Sequence, residues 1–226
     1  MMDLRDMTQH NDLTAEALRR GAPPGRGYAV ARSISQIFHP VTLSIISIFI
    51  IGVLGVPHLS LASGLGWAAL CTLIQVLPPT IFFTVRLRQG AYTDDDVSVR
   101  SQRNELYLFG MVTVLVGVVV LGLLGAPKPF VAMLASAALL NGTSWFINLF
   151  WKISIHAAGI GSCATIAALY SKPLGLLLWV CALSLGWARL RTRNHTLMQV
   201  VAGLALACTC VVGTFLAFGL PDRLGM

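Results

Sequence analysis

Hydrophobic and polar positions along this chain alternate in blocks, not within them. Apolar runs of about 17 to 25 residues recur, long enough to cross a hydrocarbon core as helices. They predict spans over 35–56, 61–85, 106–124, 130–151, 154–170, 174–188 and 195–218. Prolines and glycines punctuate them: Pro57 closes the first, Gly125-Ala126-Pro127-Lys128-Pro129 makes a tight turn, and Ser171-Lys172-Pro173 separates two short runs. Pro78-Pro79 lies inside the second run and predicts a kink or break there. The expected fold is all-α, a polytopic transmembrane helical bundle of six to seven spans. Residues 1–34 read as a solvated cytosolic arm, with a short helix over 12–20 ended by Gly21-Ala22-Pro23-Pro24-Gly25. Residues 35–226 read as one transmembrane domain with a polar loop at 86–105.

Composition agrees: 56% of residues are hydrophobic and 11% charged, with mean hydropathy +0.76. A soluble domain carries about 25% charged residues. No apolar run directly follows a short basic segment in residues 1–32, so no cleaved signal peptide is expected. Cys71, Cys163, Cys181, Cys208 and Cys210 all fall in apolar runs without metal spacing and read as small buried hydrophobes. On a seven-span path, thirteen of the sixteen basic residues share one side; Lys128, Lys172 and Arg223 lie on the other. The positive-inside rule puts the N-terminus and that basic side in the cytoplasm of a multi-pass cell-membrane protein. The net charge of +7 then reflects topology, not nucleic-acid binding.

Three polar clusters fall on that face. In the loop, Arg100 and Arg103 are three apart, pointing the same way on a helix and suiting phosphate oxygens. Asp94, Asp95 and Asp96 either hold those arginines or bind Mg²⁺. At the start of the fifth run, Lys152-x-Ser154-x-His156 places a cation, a hydroxyl and an imidazole at a helix N-terminus, where anions bind. At the sixth and seventh, Arg189 is followed by His195 and Gln199, whose i,i+4 spacing lets the amide fix the imidazole tautomer. Arg191 and Arg193 read as topology charges. Asn141, Thr143, Ser144 and Asn148 read as interhelical hydrogen-bonding groups.

These clusters resemble the type 2 phosphatidic acid phosphatase superfamily, whose motifs are K-x6-R-P, P-S-G-H and S-R-x5-H-x3-D. Arg189-x5-His195-x3-Gln199 resembles the third, with Ala188 for Ser and Gln199 for Asp. Ser154 and His156 match the second, with Ile153 and Ile155 for Pro and Gly. For the first, only Arg100 or Arg103 stands in, with no lysine seven residues earlier and no proline after. The resemblance covers about 86–203. It implies a metal-independent lipid phosphatase with no cofactor. His195 would be the nucleophile forming a phosphohistidine, and His156 the acid and then base. Arg189, Ser154, Lys152 and Arg100 or Arg103 would stabilise the phosphoryl oxygens. The expected partners are membrane lipids and a lipid or polyprenyl phosphate substrate. Two other readings remain open: a membrane prenyltransferase using Mg²⁺ on Asp94–Asp96, and a non-enzymatic transporter or scaffold.

Overall fold

The computed structural model describes Leu18, Arg20–Pro23 and Gly25–Leu220; Arg5, Arg19, Arg223 and most of the helix expected over 12–20 lie outside these residues. The described part is all-helical: α1 (Arg26–Ile37), α2 (Pro40–Ile50), α3 (Leu61–Gln75), α4 (Leu77–Arg88), α5 (Arg103–Leu123), α6 (Lys128–Asn148), α7 (Ile155–Tyr170), α8 (Lys172–Arg191) and α9 (Leu197–Ala217). Five helical segments are long and apolar enough to cross a membrane, counting α3 and α4 as one, and the bent pair α1–α2 makes six. The short α7 is apolar too.

Local chemistry explains the breaks. Pro78 and Pro79 offer no N–H to the preceding turn, and the helix interrupts at Val76 between α3 and α4. Pro40 opens α2 after His39, whose Nδ1 accepts from the Val41 N–H at 3.3 Å, and the chain bends by 41° there. A single turn of π-helix, Ile51–Gly55, then ends α2.

The first run thus differs from expectation. The helix begins at Arg26, nine residues before residue 35, and Tyr28 and Ala31 are buried where α1 packs on α8. The arm does not end as a solvated tail, because Ala22 packs against Tyr28 and Arg20 is folded into the interior. The loop is also shorter than expected: α4 runs to Arg88, and a 3-10 turn at Arg100–Gln102 leads into α5.

Helix α7 is the hub, packed against α8, α9 and α2. It buries eleven of its sixteen residues, mostly Ala, Gly and Cys, which let backbones approach closely. A Cβ on Gly203 of α9 would come within 2.8 Å of the Ser154 carbonyl, and one on Gly175 of α8 within 2.5 Å of Ala168 Cα. These contacts fix where α7 starts. Asn141 donates to the Tyr107 carbonyl at 3.2 Å, and Asn148 to Arg100 O and Asn104 Oδ1, each at 3.1 Å, tying α6 to the α5 region as expected of these two, whereas Thr143 donates to Leu139 O of its own helix at 2.7 Å.

Candidate active site

The starts of α2, α7 and α9, the end of α8 and the loop 89–99 converge at one end of the bundle. The centre of this convergence is Asp96, whose side chain is 4% exposed. Its Oδ1 faces Arg189 Nη1 at 3.1 Å and His156 Nε2 at 3.8 Å. Its Oδ2 accepts from Asn194 Nδ2 at 2.7 Å, Arg20 Nη1 at 3.0 Å and Arg32 Nη1 at 3.4 Å. Burial works to raise this carboxyl's pKa, but Arg189, His156, Arg20 and Arg32 together hold it far below the usual carboxylate range. Asp94 pairs with Arg20 at 3.6 Å, and Asp95 pairs with Arg32.

His195 precedes α9, and its Nδ1 lies 3.1 Å from Gln199 Oε1. The same Oε1 accepts the Thr196 N–H at 3.1 Å, closing a capping box in which Thr196 Oγ1 accepts from the Gln199 N–H. A backbone N–H can only donate, so the amide atom there is oxygen. The proton between it and the ring must therefore be on Nδ1, which leaves Nε2 with its lone pair. Burial first, then Arg189, Lys152 and Arg103, push the His195 pKa down to about 2, so the imidazole is neutral near pH 7.

His39, His156, His195, Asp95, Asp96 and Arg103 line the polar end of a cavity of about 410 Å³. The cavity continues between the helices past Phe83 and Val114 to Met133 and Ile166. From His156 to Ile166 is ten residues of helix, roughly 15 Å at 1.5 Å per residue. Ser44, Ser47 and Thr80 on its wall return their hydroxyl protons to their own helix carbonyls, while Gln75 Oε1 and Ser162 Oγ are polar atoms without a hydrogen-bond partner on an otherwise mostly apolar wall. A second, polar cavity of about 490 Å³ adjoins it, with Arg20, Arg32, Lys152, Arg193 and Asn194 on its walls and Asp95 shared between the two.

Of the residues singled out in the sequence, His156, His195, Arg189 and Asp96 meet here, with Gln199 behind His195. Lys152 Nζ donates to the Asn194 carbonyl at 2.8 Å on the polar side. Burial, helped by Arg103 and Arg189, lowers its pKa to about 8. Other residues have different work. Ser154 is fully buried and caps α7, its Oγ accepting the Ala157 N–H at 3.3 Å. Arg100 and Arg103 do not point the same way, because the 3-10 turn at Arg100 breaks the helical register. Arg100 turns to the Asn148 carbonyl at 2.6 Å. Arg103, 2% exposed, gives Nε to Val97 O at 2.7 Å, Nη1 to Ile153 O at 3.0 Å and Nη2 to Asp96 O at 3.4 Å. It ties the acidic loop to the start of α7.

Sequence reasoning missed Arg20, Arg32, Asn194 and His39. The ring of His39 meets that of His156 edge-on at 5.7 Å. An arginine at 32, at the start of an apolar run, and an asparagine beside His195 are the sequence signs for two of them. No family model, no curated protein and no solved structure matches this chain.

Proposed function

We propose that this chain is an integral-membrane lipid-phosphate phosphatase that works through a phosphohistidine at the cytoplasmic face, with seven membrane passes once α7 is counted. The observation that carries the reading is the state of His195: neutral, with Nδ1–H held by Gln199 and Nε2 left as the nucleophile, on the wall of a cavity that leads from charged groups to an apolar interior. A phosphate ester on an apolar chain has that polarity profile.

In the reaction, His195 Nε2 bonds to phosphorus as the P–O bond to the lipid breaks. The lipid oxygen takes a proton from His156, which has to arrive at this step protonated and whose Nε2 lies 3.8 Å from Asp96 Oδ1. Water from the polar cavity then attacks the phosphohistidine, gives its proton to His156, and releases inorganic phosphate. Arg189 neutralises the phosphoryl oxygens. The acidic trio pairs with Arg20, Arg32 and Arg189 instead of with Arg100 and Arg103, the arginines the sequence suggested, and its carboxylates approach within 4.8 Å of one another, the spacing the Mg²⁺ alternative would use.

The test is phosphate release by purified protein in detergent from a panel of lipid phosphates, with EDTA and with His195→Ala. Release that survives EDTA and disappears in the variant is expected. Activity abolished by EDTA would transfer the chemistry to a metal on the acidic trio, and no release from any lipid would end the phosphatase reading.

A further inference from the structure

Four N–H donors converge on Asp96 and fill the roughly four acceptor sites of its carboxylate. Arg189, Arg20, Arg32 and Asn194 direct N–H groups at its two oxygens within 2.7 to 3.4 Å. Arg189 is 1% exposed, and its Nε has no hydrogen-bond partner. A buried guanidinium N–H without an acceptor is costly and rare. A phosphoryl group offers three oxygens, one more than a carboxylate, and accepts arginine through paired N–H groups.

The backbone points to the same spot. Among the described residues, only Val97 and Arg193 are non-glycine residues at positive φ, 45° and 54°. Each follows or precedes one member of the Asp96–Asn194 contact. For a β-branched residue such as Val97 that conformation is strained. Arg103 Nε on the Val97 carbonyl and the Val97 N–H on the Asp94 carbonyl at 3.0 Å hold it there. Two turns at positive φ thus flank the contact between a carboxylate and an amide in the middle of an arginine cluster.

We propose that Arg189, Arg20, Arg32 and Asn194 form the seat of the substrate's phosphoryl group, and that the Asp96 carboxylate occupies this seat until a phosphate displaces it. The assignment rests on the phosphatase reading for its substrate, but the seat itself is an anion site that can be measured without turnover. It makes the end of the N-terminal arm part of the site through Arg20. It also makes Asp96 a competitor whose removal frees the seat, since a site open only a fraction of the time binds weaker by that fraction.

Binding of inorganic phosphate to the full chain in detergent, read by calorimetry and by the rise in unfolding temperature, tests this. Asp96→Asn is expected to bind phosphate at least about tenfold tighter than the unaltered chain. Should that variant prove unstable without an anion, phosphate is expected to restore its folding. Asn194→Asp, which adds a second carboxylate to the seat and keeps the arginines paired, is expected to weaken phosphate binding by about tenfold or more. Equal or weaker phosphate binding by Asp96→Asn, its failure to fold even in phosphate, or unaltered binding by Asn194→Asp each overturns the proposal. A chain that binds phosphate in this pattern but hydrolyses no lipid phosphate keeps the seat and loses the reaction.

Discussion

The two halves of the bundle solve different problems. Helix α4 has no buried residue, and its pairing with α3 and α5 leaves broad apolar faces outward, Ile81 and Val85 among them. Helix α7 is buried on almost every side and held by glycine contacts from α8 and α9. Among the described residues, every imidazole near the site except His39 is mounted on the second half; the loop from the first half delivers Asp96 to it. The comparison teaches where precision is needed: histidines on close-packed helix starts keep their geometry, while the lipid-facing half forms only one wall of the cavity.

The largest expected effect breaks the second half at its chemistry. His195→Asn should lower phosphate release by about 10⁴-fold or more while leaving the fold intact, read as turnover beside an unfolding curve. Next comes the packing. Gly203→Val puts side-chain atoms into the Ser154 carbonyl and moves the cap of α7, and should cost about 1–3 kcal/mol as well as activity. Gly122→Val on α5 meets nothing within 4 Å and should change neither, both read by thermal unfolding in detergent.

Gln199→Leu removes the acceptor of His195 Nδ1 and half of the capping box; turnover should fall about 100-fold, whereas Gln199→Glu should retain activity because a carboxylate also stabilises the phosphohistidine cation. A smaller effect appears with pH. The folded chain keeps His195 neutral down to about 2 against an ordinary 6.5, so the unfolded chain binds more protons between these values. Stability should therefore fall as pH drops below about 6.5, and His195→Asn should flatten that slope. Lys152, with its pKa lowered to about 8, loses its charge as pH rises through 8, and KM for a lipid phosphate should rise over that window.

Much of the scaffold was legible in the chain. The apolar runs, the prolines at 78–79, 127 and 173, and the spacing Arg189-x5-His195-x3-Gln199 each depend on contacts within a few residues, which sequence periodicity records. Ser154 and Arg103 were legible as residue types but not as roles. A serine before a helix reads equally as a cap or a phosphate donor, and Arg103 spends its donors on Val97 and Ile153, one of them fifty positions away. Arg20 and Asp96 are separated by 76 positions and Asp96 and Asn194 by 98, distances over which no periodicity carries information.

By itself the sequence determined the helical class, the breaks between helices and the gathering of basic and imidazole groups at helix ends, because burial in an apolar medium forces backbone hydrogen bonds inside each segment. The tertiary structure alone decided that, among the described residues, it is Asp96 that stands at the junction of three arginines, an asparagine and a histidine. That choice depends on how a strained eleven-residue loop, 89–99, falls across the starts of α2, α7 and α9, and it is made by long-range packing rather than by any local preference.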